Sequence, residues 1–194
     1  MGKKQKNNLA NFLFEAASLK RLQRTGWQIL GDNRESIAEH TFMVCVISFS
    51  LAQKLEINIE KVLLMALFHD FAETRTGDIY KLADLYVKAD EEKAIADVFV
   101  NLPNSGKITN ILEEYEEEKT LESKLVHDAD TLGLCIELKQ LIENGNINAE
   151  EWFDANIKSM RLKQSKKLAE ELIKTNSQNW WMRQRRLLHR SLKR

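Results

Sequence analysis

Apolar residues recur along this chain at spacings of three and four, which places them on one face of successive helices. Leu9, Phe12, Leu13, Ala16 and Leu19 form the first such stripe and predict a helix over residues 8–23. Gly26, within Arg24-Thr25-Gly26-Trp27, is its natural stop. After a polar loop at Gly31-Asp32-Asn33-Arg34-Glu35, Ser36-Ile37-Ala38-Glu39 reads as a capping box. The helix it opens runs to about Glu56 on the stripe Ile37, His40, Val44, Ile47, Leu51 and Leu55. Asn58 caps a third helix. That helix continues through Phe68-His69-Asp70-Phe71-Ala72-Glu73 and stops in the polar turn at 74–78, where Gly77 is free to take a positive φ. Helices follow over 90–101 and 105–118, divided by Pro103, and from Thr120 to about Glu143, before Asn144-Gly145. From Ala149 onward the chain reads as two or three amphipathic helices. The pattern is all-α.

The informative positions are those where this pattern expects hydrocarbon and the chain supplies a polar group. His40 lies on an inward stripe, where it reads either as a hydrogen-bonded core histidine or as a ligand. His69 and Asp70 put an imidazole beside a carboxylate inside an apolar helix. Asp is rarely buried unpaired, so something must hold this pair. On a regular helix Glu73 stands one turn beyond His69. Asp130 falls four residues after Val126 and four before Leu134, again on an apolar side. Two imidazoles and two carboxylates form a mixed nitrogen and oxygen donor set suited to a divalent transition metal. Such an ion acidifies a bound water and makes hydroxide available near neutral pH. Neighbouring groups then acquire roles: Glu73 can shuttle a proton to the leaving oxygen, Asp78 can orient the water, and Arg24 can neutralise a phosphate with its planar fork.

Composition narrows the field. At 194 residues the chain supports one domain with a sizeable core, residues 1–194. Its 29 basic and 29 acidic residues cancel, so no global field argues for a polyanionic partner. Seven Gly and one Pro favour helices with short connections. Cys45 and Cys135 sit in apolar contexts and read as buried reduced thiols rather than a disulfide framework. No apolar run is long enough to span a bilayer. The start, Met1-Gly2-Lys3-Lys4-Gln5-Lys6, lacks a signal-peptide core, and Lys6 stands where myristoylation of Gly2 would want Ser or Thr. A soluble, cytoplasmic protein is expected. The run Glu113-Glu114-Tyr115-Glu116-Glu117-Glu118 reads as a solvated face. The end, Trp180-Trp181-Met182-Arg183-Gln184-Arg185-Arg186-Leu187-Leu188, is basic and aromatic. A packed terminal helix or subunit contact is preferred there over nucleic-acid or membrane contact.

The order of motifs resembles the HD-domain superfamily of metal-dependent phosphohydrolases. Five blocks bring the resemblance closer, to its 5′-deoxynucleotidase branch: Lys20-Arg21-Leu22-Gln23-Arg24-Thr25-Gly26-Trp27, Ser36-Ile37-Ala38-Glu39-His40, His69-Asp70-Phe71-Ala72-Glu73, Thr76-Gly77-Asp78 and Asp128-Ala129-Asp130-Thr131-Leu132. The resemblance covers residues of about 10–160 and leaves a helical tail over about 161–194. It implies a single-domain HD-type helical bundle, a homodimer, that releases phosphate from deoxynucleoside 5′-monophosphates. His40, His69, Asp70 and Asp130 match the metal ligands of the family. Arg24 matches its phosphate-binding arginine, Glu73 its general acid/base, and Asp78 the carboxylate that positions water and substrate. Trp27 resembles the aromatic that excludes a 2′-hydroxyl by shape. One divalent ion per site is implied, cobalt or manganese before zinc, nickel, iron or magnesium. Neither a membrane nor a nucleic-acid partner is implied.

Two features depart from the family pattern or compete with it. Ile79-Tyr80 follows Asp78 where relatives often carry an apolar residue and Pro, so substrate selectivity is open there. His127-Asp128 is a second His-Asp pair; Asp130 is the residue that matches the motif, and His127 is a candidate neighbour of the ligand shell. The alternatives are an HD-type hydrolase of a nucleoside triphosphate, a cyclic dinucleotide or a phosphorylated metabolite, and a helical nucleic-acid-binding protein using its basic tail.

Overall fold

A computed structural model describes residues 9–32, 35–100 and 102–191. The basic start with Gly2, the first residue of the first predicted helix, loop residues Asn33 and Arg34, Asn101 and the last three residues of the tail lie outside the described residues. The described chain is all-α. Its helices are α1 (Leu9–Ser18), α2 (Ile37–Ala52), α3 (Ile59–Phe68), α4 (Glu73–Thr76), α5 (Glu91–Phe99), α6 (Ser105–Glu117), α7 (Leu121–Glu143), α8 (Ala149–Lys158), α9 (Lys163–Lys174) and α10 (Met182–Ser191).

The predicted caps form. Ser36 and Glu39 make the reciprocal capping box of α2, the Asn58 side chain accepts from Lys61 N at 3.1 Å, and Thr120 Oγ1 accepts from Ser123 N at 3.1 Å. The long helix α7 is apolar on most of its circumference because α2, α3, α6, α8 and α9 all pack around it. Leu125, Val126, Ala129, Leu132, Cys135 and Leu138 of α7 meet Val44, Ile47, Val62, Met65 and Phe153 in the main core. Leu19, Ile37, Phe71, Val98, Phe99 and Leu112 form a second core. There the Phe12 and Phe71 rings stack at 5.2 Å.

Four expectations about local structure change. Helix α1 ends at Ser18, short of residue 23. The chain beyond it pairs instead with the approach to α2: Ile37 N donates to Leu22 O, and Arg24 N to Glu35 O, both at 2.9 Å. Gly26 therefore stops nothing; it sits inside a 3-10 turn, Thr25–Leu30, and Gly31 at φ 73° ends that turn. Helix α2 stops at Ala52 rather than Glu56, although Leu55 still packs on the core. The third predicted helix breaks after Phe68, and tighter turns carry the chain on: Phe71 N donates to Phe68 O at 3.0 Å and Glu73 N to Asp70 O at 3.1 Å. Finally, no described residue of α10 is buried, so of the two expectations for this basic helix the packed one does not hold. Trp180, Leu187 and Leu188 around it are exposed.

Candidate metal centre

The break in the third helix has a local cause with a chemical consequence. His69 Nδ1 lies 2.8 Å from Ala66 O, and a carbonyl can only accept, so Nδ1 carries the proton. This bond occupies the Ala66 carbonyl at the point where α3 ends. It also fixes the other nitrogen, Nε2, as the one that faces the site. Among the described residues His69 Nε2 is buried without a hydrogen-bond partner. A buried imidazole held by a backbone carbonyl with its free nitrogen turned inward is the usual posture of a metal-ligating histidine.

Three elements complete the site. His40, fully buried on α2, places Nε2 at 2.8 Å from Oδ1 of Asp130 on α7. One donor atom each from His40, His69 and Asp130 lie within 4.8 Å of one another. Asp70 borders this group: its Oδ2 is 3.2 Å from His69 Nε2, 3.8 Å from His40 Nε2 and 3.3 Å from Arg24 Nη1. The donor set fits a divalent cation, because it gathers two imidazoles and two carboxylates in a buried space.

The electrostatics of the site show how these charges are balanced. In the metal-free site burial opposes protonation of His69, yet Asp70 and Asp130 outweigh it and lift the imidazole to about 9; a cation on Nε2 would take the place of that second proton. Burial would raise the Asp70 carboxyl, but His69, His40 and Arg24 hold it below its ordinary value. Asp130 is likewise held low by His40 and His69 against its own burial. Glu73 goes the other way. Burial, then repulsion from Asp70 and Asp78, pushes its carboxyl up to about 9, and its Oε2 is buried without a partner among the described residues. Glu73 opens α4 three residues beyond Asp70, and its raised carboxyl makes it a candidate proton donor.

Asp78 and Arg24 are joined through Thr25. Asp78 Oδ2 accepts from Thr25 N and, at 2.7 Å, from Thr25 Oγ1. Gly77 at φ 70° turns the chain so that this contact forms. Asp78 thus anchors the segment that carries Arg24. The other residues flagged by sequence fall as follows. Trp27 is 2% exposed and gives its ring to the core, with Nε1 donating to Glu35 Oε2 at 3.0 Å. It offers no open face to a sugar. Tyr80 lies against Gly26, 3.9 Å from where a β-carbon on that glycine would sit, so the loop after Asp78 does touch the Arg24 segment. His127 donates to Tyr115 O at 3.0 Å and stacks on its ring at 3.9 Å. Tyr115 in turn stands edge-on to His69 at 5.8 Å, which leaves His127 one layer behind it. Asp128 is buried and accepts from Arg161 N at 2.9 Å and Leu162 N at 2.8 Å, capping the entry to α9.

Sequence reasoning passed over Glu35. It read as part of a polar loop, but it is 5% exposed and lies beside both His40 and Arg24. Its only sequence signal is its place immediately before the capping box.

A family model described as HD domain matches residues 16–176, and the chain belongs to that family. Among curated proteins, 5′-deoxynucleotidase HDDC2 from Danio rerio is 31% identical over 144 residues, covering 71% of this chain and 71% of that protein. Among solved structures, a conserved hypothetical protein from Pyrococcus furiosus aligns with a TM-score of 0.75 at 31% identity, covering 86% of this chain and 99% of that one. A protein from Pyrococcus horikoshii aligns with a TM-score of 0.72 at 35% identity, covering 86% and 97%.

Proposed function

We propose that this chain is a metal-dependent phosphohydrolase that releases phosphate from deoxynucleoside 5′-monophosphates. The observation that carries this reading is the buried cluster of His40, His69 and Asp130, with Asp70, the Arg24 guanidinium and the buried Glu73 carboxyl around it. The 5′-deoxynucleotidase relatives supply the substrate class.

In this reading His40, His69, Asp130 and Asp70 hold one divalent ion, cobalt or manganese by family resemblance. When bound, such an ion supplies positive charge against the phosphate and acidifies water. Arg24 binds phosphate oxygens; its guanidinium stays charged because Asp70, Asp130 and Glu35 outweigh the burial that opposes it. Asp78 positions the water and holds Thr25, and with it Arg24, in place. A water oxygen forms the new bond to phosphorus while the bond from phosphorus to the sugar 5′-oxygen breaks. Glu73 gives its proton to that departing oxygen, which leaves a neutral deoxynucleoside and inorganic phosphate. Trp27 is the family's candidate for excluding a 2′-hydroxyl by shape, and its buried ring is held in place by the hydrogen bond to Glu35. We place the enzyme in the cytoplasm as a homodimer, following the family resemblance.

The test is phosphate release from dAMP, dGMP, dUMP and dTMP, from the matching ribonucleotides and from a deoxynucleoside triphosphate, with several divalent metals. Release from deoxynucleoside monophosphates above all others is expected. Pyrophosphate or triphosphate release from the triphosphate alone would replace this reading with another HD-type activity.

A further inference from the structure

We propose that Glu35 is a positioning residue for His40, selecting the imidazole nitrogen that faces the metal and tying that selection to Arg24. The inference rests on the metal-centre reading above. His40 turns Nε2 toward Asp130 and Asp70. To offer that lone pair to a cation, the ring must keep its proton on Nδ1, and a buried N–H needs an acceptor. His69 meets the same need with the Ala66 carbonyl at 2.8 Å. His40 has no such carbonyl: its Nδ1 is buried without a hydrogen-bond partner among the described residues. Glu35 Oε1 lies 3.8 Å away from it. Closing that gap to hydrogen-bond length takes a shift of about 1 Å.

Glu35 is built to serve this contact. It is 5% exposed, and a carboxylate is seldom buried without partners. Trp27 Nε1 pins Oε2 at 3.0 Å, and Arg24 Nε stands 3.9 Å from the same oxygen. The Glu35 backbone carbonyl accepts from Arg24 N at 2.9 Å. One residue therefore orients a metal ligand through its side chain and places the phosphate-binding arginine through its backbone. A carboxylate behind a ligating imidazole also raises the basicity of the ligand nitrogen.

The test compares wild type with Glu35→Gln, which keeps shape and removes the charge. Calorimetric titration of Mn²⁺ into the metal-free proteins should show a loss of about 10- to 100-fold in affinity. Thermal melting of the metal-free proteins should coincide. Nitrogen-15 spectra of the zinc-loaded wild type should show the His40 proton on Nδ1, and this measurement needs no variant. Unchanged Mn²⁺ affinity in Glu35→Gln, a melting temperature that falls along with affinity, or a His40 proton on Nε2 would each overturn the proposal. Wild type that binds no divalent ion at all would overturn the metal-centre reading itself, and the first titration reveals that separately.

Discussion

Asp70 and Glu73 stand three residues apart and have opposite electrostatic fates. Asp70 faces two imidazoles and a guanidinium and stays ionised; Glu73 faces Asp70 and Asp78 from a buried position and keeps its proton. This divergence supports the proposed division of labour, in which Asp70 supplies charge and Glu73 a proton. Asp70→Ala should lose bound metal and turnover together. Glu73→Ala should keep metal and substrate binding while turnover falls roughly 10²- to 10⁴-fold. Metal content after dialysis, measured beside phosphate release, checks both. The raised carboxyl of Glu73 also bears on stability. The contribution of a group whose folded value lies above its ordinary 4.5 is complete below that value and is lost as pH rises toward about 9. Melting of metal-free wild type and Glu73→Gln should therefore differ least near pH 5, and the variant should gain on wild type progressively toward pH 9.

The residues gathered at the candidate centre were legible because a polar side chain on an apolar stripe is conspicuous. His40, Asp130 and the His69-Asp70 pair all stood out in this way. Glu35 did not, since a carboxylate in a polar loop has no periodic background to stand against. The burial of Trp27 was hidden for the same reason: it lies in a 3-10 turn, where a 3.6-residue period does not apply.

Among the helices, α7 carries two carboxylates with unrelated tasks. Asp130 points to the site, whereas Asp128 reaches across to the amides of Arg161 and Leu162. Asp128→Ala leaves those two partly buried amides without their acceptor, at a cost of about 1–3 kcal/mol. It should melt earlier and bind metal as wild type does, which calorimetry and thermal melting together can read. The Cys135 thiol on the same helix is pushed up to about 12, first by burial and then by Asp130. It should stay unmodified by a thiol reagent in the native protein and react only on unfolding. Helix starts were legible through Ser36, Asn58 and Thr120, whose side chains cap the amides they were expected to cap. The break after Phe68 was not legible, because apolar spacing runs on unchanged through a tight turn. Where α3 ends, the His69 imidazole donates to the Ala66 carbonyl.

At the scale of the molecule, the four donor residues come from three places separated in sequence, and packing around α7 is what assembles them. The HD-domain match ends at residue 176. Beyond Thr175 the chain has six basic residues and no acidic one, and α10 buries none of its described residues. Removal of residues 177–194 should therefore leave metal binding and phosphate release within about twofold of the full chain, consistent with surface changes remote from a core being near neutral. A collapse of both would give the tail a part in the site.

The most direct test of the metal centre follows bound metal and released phosphate in the same sample. A divalent cation is titrated into metal-stripped wild type and Asp130→Ala in the presence of a deoxynucleoside 5′-monophosphate. The account predicts that wild type takes up one ion per chain and that phosphate release rises in step with it, while Asp130→Ala does neither. Phosphate release by metal-stripped wild type, or full activity in an Asp130→Ala protein that binds no ion, would contradict it.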